Sequence, residues 1–274
     1  MVNTDIERTL RRADELAMFP RVAEIVRQVV DDPSTSLVDL ERAVAMDTTL
    51  SAQVLKLANS AFFGLQRDVA SLRQALLVLG FRATRDLTLG LAAMSVGRGE
   101  EPVRYMIWQK SMRSAVAARV IAPAAGWDRG EAFVAGLLHD IGQLVLLELH
   151  PNLYEDLLHF ARSPEDLVQA EVSTFGFDHA ALGSAVLERW DLPTRTVKAV
   201  AAHHDVAKLG SSGKSLYAAV LWVADQIAEH TVPTKRPAAT VAKELVRKPL
   251  CQRLRLDADQ LYGAASTPLP DLAA

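Results

Sequence analysis

In Gly136-Leu137-Leu138-His139-Asp140-Ile141-Gly142-Gln143-Leu144 an imidazole and a carboxylate stand side by side inside an otherwise apolar run. A neutral imidazole offers a nitrogen lone pair and an Asp offers hard oxygens, so the pair suits a divalent cation that polarises water or phosphate. A lone His-Asp dipeptide is weak as a motif. Its weight comes from residues further along the chain: His179 in Phe175-Gly176-Phe177-Asp178-His179, the doublet His203-His204 before Asp205, and Asp225 in Trp222-Val223-Ala224-Asp225. Four of the chain's seven histidines fall in these motifs. The competing reading of the same residues is a polar cluster whose His and Asp side chains hydrogen-bond one another and orient helices.

The elements that must position these residues read as helices throughout. Apolar residues recur at i, i+3, i+4 and i+7 in Val22, Ile25, Val26 and Val29, and Leu72, Ala75, Leu76 and Leu79 share one face. Ser36 with Asp39 three residues on forms a near capping box for a helix over 37 to 46, and Asp47 can cap the next. Asn59-Ser60 ends that helix and is a candidate ligand or partner contact. In the structural alternative, Asn59 satisfies the helix end while Phe62 and Phe63 pack between lobes. The His139-Asp140 pair opens a helix that ends at Pro151, and further helices are expected near 152 to 161, 164 to 174, 178 to 190, 194 to 204 and 214 to 230. No alternating strand of useful length occurs, so the fold class is all-α and two-lobed. A Gly, charge and Pro cluster from Gly97 to Pro102 sets the expected boundaries: a first lobe over 1–97, a second over 98–232, and a basic, Pro- and Ala-containing tail over 233–274 with short helices.

Composition narrows the function classes. Half of the 274 residues are hydrophobic and only 6% aromatic, with net charge −3 and pI near 6.2. Such a chain has no global attraction for nucleic acid or anionic membranes. One cysteine, Cys251, excludes an internal disulfide framework and agrees with a reducing cytosol, and no neighbouring His makes it a nucleophile. No signal peptide or membrane-length apolar run is evident, so a cytoplasmic location is expected. The stretch from Lys235 to Arg255 carries seven basic residues against the single acid Glu244, without interleaved aromatics. A solvated or partner-facing surface fits it better than a nucleic-acid contact.

In this order the motifs resemble the HDOD family, the HD-related output domains of bacterial signalling. The first lobe carries the resemblance in Leu55-Lys56-Leu57-Ala58-Asn59-Ser60-Ala61-Phe62-Phe63-Gly64 and Ser71 to Leu76. The second carries it in Trp108 to Ser111, Gly136 to Gly142, Glu171 to His179, Trp190-Asp191-Leu192-Pro193 and His203-His204. The resemblance implies a non-catalytic relative of the HD and HD-GYP metal phosphohydrolases. It maps His139 and Asp140 onto the His-Asp pair, His179 onto the middle His, His203 and His204 onto the doublet, and Asp225 onto the last carboxylate. It also implies an early His where this chain has Lys110, whose ammonium has three donors and no lone pair.

The leading expectation is therefore a regulatory module that binds a signalling protein, with a degenerate metal site that holds either nothing or Fe, Mn or Ni at partial occupancy. Lys110 is expected to supply positive charge by pairing with Asp140 or Asp225. The alternative is a metal-dependent phosphohydrolase of a nucleotide or cyclic dinucleotide, and a third reading is nucleic-acid contact through the basic tail.

Overall fold

The computed structural model describes residues 4–15, 25, 29, 35–59, 69, 71–80, 84, 87–88, 91, 102–190, 192–205, 216–232 and 236–269. Among these residues every regular element is a helix and none is a strand, in line with the apolar periodicity. It divides into two compact units, one of residues 1–18 with 96–266 and one of residues 19–95 with 267–274.

In the smaller unit, α2 (Leu37–Ala45), α3 (Thr48–Asn59) and α4 (Leu72–Leu79) pack pairwise. Their starts are chemically specified. The Ser36 amide donates to Asp39 Oδ2 at 3.0 Å and the Asp39 amide to Ser36 Oγ at 3.4 Å, so the capping box is reciprocal. Asp47 accepts from the Leu50 amide at 3.0 Å, and Ser71 accepts from the Gln74 amide at 3.2 Å. Leu40, Val44, Val54, Ala58, Ala75 and Leu76 fill the core. Of the helix read through Val22, Ile25, Val26 and Val29 only residues 25 and 29 are described, and Ser60, Phe62 and Phe63 lie outside the described residues.

The larger unit is built on α5 (Pro102–Ile121), which packs against α6 (Arg129–Leu138) and α12 (Leu216–Thr231). Small residues at its inner face, Ser111, Ser114, Ala115 and Ala118, let α6 approach closely. A Cβ added to Gly136 would stand 2.7 Å from the Ala115 Cα. After α6 come α7 (Ile141–Leu149), α8 (Pro151–Phe160), α9 (Pro164–Phe175), α10 (His179–Arg189) and α11 (Thr194–Ala201). Ser163 and Asp178 cap α9 and α10 through the Asp166 and Ala181 amides, and Gly176, at φ 82°, ends α9 in the left-handed region.

Two features depart from the segments expected over 1–97 and 233–274. Helix α1 (Thr4–Glu15) belongs to the larger unit: it packs on α10, and Arg189 Nη1 bonds Asp14 Oδ2 at 2.5 Å. The basic stretch carries short helices as expected, α13 (Ala238–Leu245), α14 (Pro249–Arg253) and α15 (Ala258–Ser266), but these belong to the larger unit rather than to a separate tail, and they bury Val241, Leu245, Leu250, Cys251 and Leu261. A third departure concerns Arg129–Leu149, which by length and composition is apolar enough to cross a membrane. The segment is 94% buried within the fold, where an all-round apolar character serves a core position.

Candidate metal centre

The break between α6 and α7 places the first two residues of the site. His139 is the C-cap of α6, and Asp140 precedes α7 without using its carboxylate as a cap, so that carboxylate is left to face inward. Both side chains are buried. His179 opens α10, the turn after α11 carries His203 and His204, and the middle of α12 carries Asp225.

Four helix ends and one helix middle thus converge on Asp140. Its Oδ1 lies 3.3 Å from His179 Nε2 and 3.7 Å from His203 Nε2, while its Oδ2 lies 3.3 Å from His139 Nε2. His139 Nε2 is also 3.4 Å from Asp225 Oδ1. His204 Nε2 faces His179 Nε2 at 2.8 Å. Two sets share Asp140: one of Asp140, His179, His203 and His204, the other of His139, Asp140 and Asp225. Within each set the candidate ligand atoms lie within 4.8 Å of one another.

Three of the imidazoles are turned by bonds on their far side. Nδ1 of His139 bonds the Gly136 carbonyl at 2.8 Å and Nδ1 of His203 bonds the Val200 carbonyl at 2.6 Å, which leaves each Nε2 directed into the centre. Glu171, fully buried on α9, accepts from His179 twice, from the backbone amide at 2.9 Å and from Nδ1 at 2.7 Å. Tyr154 Oη donates to the other Glu171 oxygen at 2.5 Å. A carboxylate behind a ligating imidazole fixes its ring and tautomer and raises its basicity. The roles of Glu171 and Tyr154 were not read from the sequence. Their signal was available: an acid inside the apolar pattern of a predicted helix, eight residues before a candidate ligand.

Electrostatics set the protonation. Burial disfavours charge on His179, but Glu171 and Asp140 outweigh it and hold the imidazole well above its ordinary value. His139 is treated alike: burial opposes the charge and the Asp140 and Asp225 carboxylates prevail. His204 goes the other way, held well below by burial and by its His203 and His179 neighbours. For Asp140, burial alone would favour the neutral acid, yet His139, His179 and His203 keep it well below the usual carboxylate range.

Lys110 on α5 pairs with Glu229 on α12, and this corrects the expectation of a bond to Asp140 or Asp225. Glu229 lies one helical turn beyond Asp225 on the same helix, where it captures the ammonium first. Asp225 and Asp140 act on Lys110 only as neighbouring charges. All four line a cavity of about 230 Å³, together with Gln143, His179, His204 and Arg162. Asn59 belongs to the smaller unit and is used structurally. Its Nδ2 donates to the Val69 carbonyl at 2.8 Å and its Oδ1 accepts from the Val69 amide at 2.6 Å. Cys251 is buried, which pushes its thiol up to about 11.

The donor set fits a divalent transition metal. Asp140 Oδ1 and His203 Nε2 are both buried, and among the described residues neither makes a well-formed hydrogen bond: Oδ1 has only the 3.3 Å and 3.7 Å approaches of His179 and His203. A buried polar group left this way is costly, and a metal ion ligated by both would satisfy them.

Comparison with known proteins agrees with this architecture. An uncharacterized protein of Treponema pallidum is 25% identical over 214 residues, covering 76% of this chain and 41% of that protein, so the chain spans less than half of that relative's length. A solved candidate phosphohydrolase of Shewanella amazonensis aligns with a TM-score of 0.67 at 23% identity, over 93% of this chain and 96% of its own, a likeness of fold. The MmoQ response regulator of Methylococcus capsulatus aligns at 26% identity and a TM-score of 0.52, over 90% of this chain and 96% of its own. The HDOD domain profile matches residues 16–206, most of the chain, and the chain belongs to the HDOD family.

Proposed function

We propose that this chain is a regulatory signalling module that acts by binding a protein partner, and that its buried His/Asp centre holds a divalent transition metal, Fe, Mn or Ni. Asp140, His179, His203 and His204 would hold the ion, with Glu171 fixing His179. The ion would supply a Lewis acid and a fixed positive charge where several helix ends meet. The observation that carries the metal is the pair of buried atoms Asp140 Oδ1 and His203 Nε2, neither in a well-formed hydrogen bond among the described residues. Support for the signalling role is the family membership and the likeness to a response regulator. Support for regulation over catalysis is Lys110, which puts an ammonium without a lone pair where the catalytic relatives that the sequence resembles have a ligand.

The second reading, a phosphohydrolase of a nucleotide or cyclic dinucleotide, is favoured by the cavity that opens onto Asp140 and Asp225. One experiment separates the two. The protein is purified from its native host, its metal content and co-purifying proteins are measured, and it is assayed on cyclic dinucleotides and a model phosphodiester with added Mn²⁺, Fe²⁺ or Mg²⁺. Bound metal with no turnover and a specific partner supports the regulatory module. Sustained turnover that disappears in Asp140→Ala overturns it.

A further inference from the structure

We infer that the centre takes one metal ion, at Asp140, His179, His203 and His204, and that the neighbouring set of His139, Asp140 and Asp225 is closed to a second. This rests on the reading that the centre binds metal at all, and it specifies where and how much.

The two sets differ in what they leave unsatisfied. In the four-residue set, Asp140 Oδ1 and His203 Nε2 make no well-formed hydrogen bond among the described residues, although both are buried. One ligand atom from each of three imidazoles and one carboxylate oxygen lie within 4.8 Å of one another, with His179 and His203 oriented by Glu171 and the Val200 carbonyl. Four N and O donors of this kind suffice for a first-row transition ion. The three-residue set has its one imidazole nitrogen already engaged: His139 Nε2 hydrogen-bonds Asp225 Oδ1 at 3.4 Å and lies 3.3 Å from Asp140 Oδ2. It has one donor fewer, and the side chain beside it is Lys110, which shares the cavity with Asp140 and Asp225. Glu229 anchors that ammonium in place, so Lys110 can neither donate a lone pair nor withdraw freely. A second divalent ion would therefore meet an incomplete ligand set and a fixed like charge.

The test loads the full chain with Mn²⁺ or Co²⁺ and reads stoichiometry by elemental analysis after desalting, with electron paramagnetic resonance on the Mn²⁺ form. The expected result is one ion per chain with the six-line spectrum of an isolated Mn²⁺. His203→Ala should weaken Mn²⁺ binding at least about a hundredfold, His139→Ala should leave one ion bound within a few-fold of wild type, and Lys110→His should raise the stoichiometry to two. Two ions in the wild type with an exchange-coupled spectrum overturn the inference while leaving the metal reading intact. So does a single ion that is lost in His139→Ala and kept in His203→Ala. No ion in the wild type overturns the metal reading, and the inference with it. The wild-type stoichiometry and spectrum decide the matter even where a variant fails to fold.

Discussion

Lys110 on α5 donates to Glu229 on α12, one turn beyond the carboxylate it was expected to neutralise. The bond spans 119 residues of sequence and ties the central helix to the helix that carries Asp225. Its partners are 22% and 34% exposed, so water screens the pair and its loss is tolerable. Lys110→Ala should cost about 1 kcal/mol, the scale of a partly exposed ion pair, and not the several kcal/mol of a buried one. Urea melts of Lys110→Ala, Glu229→Ala and the double variant measure this. A coupling energy near zero would mean the two side chains do not act as a pair.

The metal-free protein should be most stable in mildly acidic solution. His179 and His139 are held above the ordinary imidazole value, so their contribution is fully present below about pH 6.5 and is lost as pH rises through their elevated folded values. His204 works in the opposite sense: it is held below, so its contribution is present above about pH 6.5 and is lost as pH falls towards its depressed value. Above about pH 6.5 the His204 contribution is already in place, so the loss from His139 and His179 gives a net decline in stability. Metal ions compete with protons for the His179 and His204 nitrogen atoms, so Mn²⁺ or Ni²⁺ should raise the midpoint more at pH 8 than at pH 6. Thermal melts across this range, with and without metal, check both statements, and a metal-induced shift that shrinks with pH would contradict them.

Much of this was legible in the sequence because it rests on local rules. The Ser36–Asp39 capping box and the Asp47 cap depend on residue types a few positions apart, and His139, Asp140, His179, His203, His204 and Asp225 stand out as polar groups in apolar runs. The Lys110 partner was not legible, because Asp140, Asp225 and Glu229 are chemically equal candidates until the turn of α12 places Glu229 nearest. Likewise α1 and α13 to α15 fold onto the larger unit through apolar faces whose destination is a long-range fact. Gly142 illustrates the same limit, since its role lies wholly in what approaches it.

Glu171→Gln should lower metal affinity by about 10- to 100-fold while the protein stays folded. An amide still occupies the space between Tyr154 and His179, but it no longer supplies the charge that makes His179 a strong donor. Tyr154→Phe removes one hydrogen bond to the same carboxylate but leaves its charge, and should have a smaller effect. Isothermal titration with Mn²⁺ ranks the three proteins. Equal affinities would mean that Glu171 merely fills space.

Gly142→Ala should damage the centre without touching a candidate ligand. A Cβ at Gly142 would stand 2.1 Å from the His179 carbonyl oxygen, 2.9 Å from its carbon and 3.0 Å from the Gly183 nitrogen. These are backbone atoms, which no rotamer change can move aside, so α7 and α10 must separate. Overpacking of this kind costs about 1–3 kcal/mol or more. The separation also has a direction: α7 begins beside Asp140 and α10 begins with His179, so the 3.3 Å approach of His179 Nε2 to Asp140 Oδ1 is the first distance to grow. Ligands of one ion must hold their places to within a fraction of an ångström, so affinity should fall together with stability. Leu146→Ala, a cavity-forming change in the same helix, serves as the control because Leu146 is fully buried and touches stability alone. At matched loss of melting temperature, Gly142→Ala should bind Mn²⁺ more weakly than Leu146→Ala. Equal affinity in the two variants would show that the close contact of α7 and α10 supports the fold and not the geometry of the centre.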